Sequence, residues 1–131
     1  MFIGSLNHDQ QAYFLAVAKK LIAADGIIDE REAQAFDVLV AQCAPGVEPA
    51  EDVTAVSVEA LFDDRASRVA CLLELVGIAL ADDAYDASER AIIQELAGTF
   101  DLSHALIEDM ENWVSRQMTL VHEAQQMMLE G

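Results

Sequence analysis

An all-α bundle of six or seven helices is the fold class this sequence predicts, and three observations lead there. Apolar residues recur at three- and four-residue spacing almost throughout the 131 residues. Helix-capping patterns punctuate the chain at the places where that periodicity restarts. No segment rich in alternating β-branched residues competes, and a lone strand would have no partner. The composition is foldable: Leu, Ile, Val and Phe number 38, well above the level at which a highly charged chain stays disordered. One domain spanning 1–131 is expected from this length.

The first helix runs from about Asn7 to Asp25 on the spacing of Tyr13, Phe14, Val17, Leu21 and Ile22, and Gly26 stops it. Asp29 opens the second, with Glu32 three residues on as a capping box and Ala33, Phe36, Leu39, Val40 and Cys43 on its apolar face. Pro45, Gly46 and Pro49 end it in the one loop-rich stretch. Val53–Phe62 is ambiguous, and a short helix from near Ser57 suits Val58, Leu61 and Phe62 better than a strand. Asp63 or Asp64 then caps a long helix carrying Val69, Leu72, Leu73, Val76, Ile78 and Leu80. Being apolar on most sides, it should be the central buried element. Asp86, with Glu89 in third position, caps the next helix, which carries Ile92, Ile93, Leu96 and Phe100. Ser103 caps the last, where Leu106, Met110, Trp113, Gln117, Leu120, Val121, Ala124 and Met128 trace a stripe that reads first as core.

Charge narrows the function classes. The formal net charge is −17, and the seven cations (Lys19, Lys20, Arg31, Arg65, Arg68, Arg90 and Arg116) form no basic stripe. Nucleic-acid phosphates and anionic lipid both need clustered cations, so neither is an expected partner. The N-terminus has no cationic, apolar leader, and Val69–Ala81 is too short to span a bilayer. Cys43 and Cys71 form no CxxC pair and read as packed, reduced thiols. A cytoplasmic location is the expectation that follows.

Sliding the chain by 57 residues lays Asp25 on Asp82, Asp29 on Asp86, Glu32 on Glu89, Phe36 on Ile93 and Leu39 on Leu96. Each copy reads as apolar helix, A-D turn, D-x-x-E cap and second apolar helix, so two helical hairpins are expected (repeat one about 7–44, repeat two about 64–101), followed by a C-terminal helix over about 103–129. Capping explains Asp29/Glu32 and Asp86/Glu89. It does not explain Asp25 and Asp82, which fall where a helix ends and its dipole repels a carboxylate. A nearby cation would reverse that penalty, and carboxylate and carbonyl oxygens suit Ca²⁺ or another hard divalent ion. The candidate metal ligands are therefore Asp25, Asp29, Glu32, Asp82, Asp86 and Glu89. The spacing is not that of an EF-hand, whose Glu stands at the twelfth position of its loop.

At AADGIIDEREAQAF and ALADDAYDASERAIIQELAGTFDLS the chain resembles the tellurite-resistance TerB-like family, which includes the N-terminal domain of a membrane-anchored DnaJ-type co-chaperone. The resemblance covers roughly Tyr13 to Trp113. It implies an all-helical fold of two hairpin repeats and an acidic cluster at the A-D-G turns, associated with divalent metal and bacterial stress responses. The matching positions are the six carboxylates named above. Asp83 replaces the glycine expected in the second turn, so two turns of identical geometry are not implied.

No catalytic constellation emerges, and the chain reads as a non-enzyme. His8, His104 and His122 sit in different segments and make no H-E-x-x-H pair. There is no glycine-rich phosphate loop and no G-x-S-x-G elbow. Asp101-Leu102-Ser103 reverses the order of an acyl-carrier attachment motif. Two functions fit: a divalent-cation-binding stress module that engages protein partners, or a metal-free interaction domain in which the carboxylates only cap helices. In the second, Met110, Trp113, Met118, Met127 and Met128 would serve as a homodimer seam on the C-terminal helix.

Overall fold

A computed structural model describes residues 2–23, 30–50, 57–81, 85 and 87–129, apart from the side chains of Arg31 and Glu32. It is all-helical over these residues. A single 3-10 turn at Ile3–Ser5 precedes α1 (His8–Ile22), α2 (Glu30–Gln42), the one-turn α3 (Val58–Leu61), α4 (Arg65–Ala81), α5 (Ala87–Thr99) and α6 (His104–Leu129).

As its composition predicts, α4 is the central element, packing on α1, α5, α6 and the N-terminal turn. Cys71, Leu72, Leu75, Val76 and Ala79 are fully buried on it. The one charge in its apolar run, Glu74, accepts a hydrogen bond from the Phe2 backbone N–H, which satisfies a carboxylate in a part-buried setting. The core is one continuous cluster from Ile3 to Val114. An aromatic chain runs through it: Tyr13 meets Phe62 edge-on at 5.6 Å, and Phe62 lies 5.1 Å from Phe100.

The 57-residue offset reappears in the helix boundaries. Moved by 57, His8 becomes Arg65, Glu30 becomes Ala87 and Gln42 becomes Thr99, the observed ends of α4 and α5. The caps correspond as well. The Asn7 side chain accepts the Gln10 N–H at 2.8 Å, and Asp64 accepts the Ser67 N–H at 2.7 Å. Those bonds to Ser67 hold the Asp64 carboxyl below the ordinary carboxylate value. Asp64 is thus the cap of α4, rather than Asp63.

The next aligned pair, Gln11 and Arg68, binds each hairpin to the segment before it. Gln11 Nε2 donates to the Ile3 and Leu6 carbonyls, and its Oε1 accepts the Ala44 N–H at 2.9 Å just beyond α2. Arg68 donates to the Phe62 carbonyl at 2.6 Å, the Glu59 carbonyl at 3.2 Å and the Phe100 carbonyl at 3.1 Å just beyond α5. Its guanidinium also lies over the Phe100 ring. Both side chains satisfy backbone groups that the helix ends leave free.

The second hairpin closes with a Schellman motif. The Leu102 N–H reaches back to the Ala97 carbonyl and the Asp101 N–H to that of Gly98. Asp101 takes the left-handed position, φ 58°, usually left to glycine. Ser103 then caps α6, its Oγ accepting the Leu106 N–H at 3.2 Å.

The C-terminal stripe needs correction. Ile107, Met110 and Val114 are buried, but Leu120, Val121, Met127 and Met128 are exposed, and Trp113 is partly so. The apolar face of α6 is core only in its first half, because α4 and α5 flank only that part. The face expected for α2 is likewise shallower: Cys43 is buried and Phe36, Leu39 and Val40 are half-buried, while Ala33 is exposed. The first helix also ends earlier than its periodicity suggested, at Ile22.

Candidate functional site

The candidate acidic turns join α1 to α2 and α4 to α5. Asp25, Asp29, Asp82 and Asp86, together with the Glu32 side chain, lie outside the described residues. Glu89 is described: it occupies the third position of α5, half-buried, where the positive end of the helix dipole favours a carboxylate.

The helices that carry the turns have a defined relation. Gln10, in the first turn of α1, donates to the Leu61 carbonyl just before α4. Tyr13 and Phe62 pack together there, and Phe62 meets Phe100 at the end of α5. Arg68 ties the first turn of α4 to that same residue. The start of α1, the start of α4 and the end of α5 therefore gather at one end of the bundle. With α1 packed along both α4 and α5, the ends of α1 and α4 and the start of α5 lie at the other.

Beside the second turn stands Tyr85. Its hydroxyl is buried without a hydrogen bond of ordinary geometry among the described residues. Burial, and then the neighbouring Glu111 carboxylate, push its pKa well above the usual value; Glu89 adds to the effect and Arg90 opposes it. Arg90 pairs with Glu111 at 3.3 Å, linking α5 to α6. Among the described residues no three His, Cys, Asp or Glu side chains converge as a metal site.

The remaining chemistry is quiet. His8 and His104 are exposed in first turns. Cys43 and Cys71 are free and buried, and burial raises both thiols, Cys71 strongly. A thiol held protonated is a poor nucleophile. Between α1 and α5 lies a shallow cleft bordered by Tyr13, Ala16 and Lys20 on one side and Ile92, Glu95 and Thr99 on the other. Sequence reasoning missed it, and also missed Gln11, because a polar residue inside an amphipathic helix gives no sign that backbone groups from elsewhere will reach it. No described helix is long and apolar enough to cross a membrane.

Residues 54–112 match the family model described as "Tellurite resistance protein TerB". No curated protein and no solved structure matches the chain. The matched stretch takes in α3, α4, α5 and the first part of α6, including the central helix of the core. That match and the all-helical bundle together support assigning the chain to the TerB-like family.

Proposed function

We propose that this chain is a non-enzymatic TerB-like stress-response module that holds a divalent cation at its acidic hairpin turns and engages protein partners. One observation carries the reading: Asp25, Asp29 and Glu32 recur 57 residues on as Asp82, Asp86 and Glu89, in a chain where three of four helix boundaries repeat at the same offset. The helix ends flanking the two turns share one end of the bundle, which supports a common acidic region. The donors are carboxylate oxygens, joined by the free carbonyls of a helix C-terminus, and this is the ligand chemistry of Ca²⁺ and its hard relatives. Asp25 and Asp82 follow helix ends, where a carboxylate is unfavourable without a cation.

Thermal unfolding of the metal-stripped protein with added Ca²⁺, Mg²⁺ or Mn²⁺ tests the reading. A ligand at a hundred times its dissociation constant adds about 2.7 kcal/mol, which for a chain of this size raises the midpoint by roughly 5 °C. The rise should saturate and should vanish in the Asp25→Asn/Asp82→Asn variant. A small, unsaturating rise shared by both proteins is screening of an acidic surface and overturns the cation site.

A further inference from the structure

The second half of α6 leaves the bundle carrying an ordered apolar face. Ile107, Met110, Val114, Gln117, Val121, Ala124 and Met128 follow one another at alternating three- and four-residue steps, the a/d register of a coiled coil. The first three are buried against the bundle, and Gln117 and Ala124 are half-buried. Beside this seam, Trp113, Leu120 and Met127 repeat every seven residues and widen the apolar face, with Met118 on its other edge. The opposite face, from Glu108 to Gln126, is polar at every b, c and f position. One register therefore serves two surfaces, the core up to Val114 and open solvent beyond it.

Charge indicates what covers the open part. Over 115–129, Arg116 and Glu123 cancel, so the segment is net neutral within a chain of net charge −17. An acidic surface repels another copy of itself everywhere except at such a place. A basic partner would gain nothing there, and an anionic membrane would find a single arginine rather than a cationic cluster. Area agrees with this. Trp113, Met118, Leu120, Val121, Met127 and Met128 are 37–79% exposed and offer on the order of 500 Å² of apolar surface. That lies toward the upper end of the largest apolar patch a typical monomer exposes, a size often tied to function. With its polar flanks the patch approaches the ~800 Å² per partner of a standard interface.

We propose that two copies of this chain pair through residues 113–128 of α6, antiparallel, as a two-helix seam. The antiparallel sense follows from the charge. Overlapping these 16 residues of helix holds the two acidic bodies about 24 Å apart, beyond the ~8 Å screening length at physiological salt. A parallel pair would press the bodies together. The seam is independent of the cation site, so pairing persists in chelator.

Sedimentation equilibrium of the full chain between 1 and 200 µM, in EDTA and again with Ca²⁺, tests this. The expected result is twice the 14.3 kDa chain mass, with association tightening as salt rises. Val121→Glu/Met128→Glu changes exposed residues, so helicity and midpoint in dilute solution should hold while dimerisation weakens by more than about tenfold. A monomer throughout the range overturns the proposal. So does a dimer that the variant leaves unchanged, which would place the contact on another surface. Small-angle scattering should show a dumb-bell with two separated maxima, and a single compact maximum overturns the antiparallel arrangement.

Discussion

The two hairpins, α1–α2 and α4–α5, share three of their four helix boundaries, the cap of the first helix and the position of a tying side chain, yet they are buried to different depths. Phe36 and Leu39 on α2 align with Ile93 and Leu96 on α5. The first pair is half-buried, whereas Ile93 is inaccessible and Leu96 nearly so. Neighbours account for the difference. α5 is enclosed by α4, α6 and α1, but α2 packs chiefly on α1 and presents Val38 to solvent. A repeated pattern fixes where helices begin and which residues share a face. It does not fix how much surface each copy buries, because α6 packs chiefly on the second copy.

The largest expected effect tests this contrast with identical chemistry at aligned positions. Leu96→Ala should cost about 3 kcal/mol, as deletion of a packed core side chain does. Leu39→Ala should cost about 1 kcal/mol, in keeping with partial burial. Urea unfolding of both variants gives the ratio, and equal losses would mean that α2 is as integral to the core as α5.

The tying residues come next. Gln11→Met strands two carbonyls and one N–H in a buried place and should cost about 2 kcal/mol, whereas Arg68→Met should cost less because water reaches part of its site. Chemical denaturation of each variant ranks them. The reverse order would show that the guanidinium's stacking on Phe100 outweighs solvent access.

The smallest effect concerns how the hairpins end. Asp101 occupies a left-handed position that its counterpart Ala44 does not share. Asp101→Gly should raise stability by roughly 0.5–1 kcal/mol, since glycine enters that region without strain and removes a carboxylate from a helix C-terminus. Calorimetry reads this as a higher midpoint, and no change would mean that Asp101 makes a compensating contact.

Much of the architecture was legible in advance, for reasons particular residues make plain. The unbroken apolar run around Leu72 and Val76 announced a central helix. Ser103 announced the start of α6, and the 57-residue offset of the D-x-x-E motifs matches the starts of α4 and α5 relative to α1 and α2. Residues acting at a distance were not legible. Ile3 belongs to the core because Gln11 and α4 hold the N-terminal turn in place. The exposed end of α6 has the same periodicity as its buried beginning, and periodicity records which side is apolar without recording what lies against it. Of the candidate ligands, sequence supplied all six and the described residues include the side chain of Glu89 alone.

The two cysteines divide between the hairpins, Cys43 just past α2 and Cys71 within α4. Cys71 is inaccessible to solvent and Cys43 nearly so, and burial raises both thiols. Oxidants and electrophiles therefore find little to attack in the closed fold, and the rate at which either thiol reacts is governed by how often its own neighbourhood opens. The chain thus carries two natural clocks, Cys43 beside the shallower helix and Cys71 in the helix at the centre.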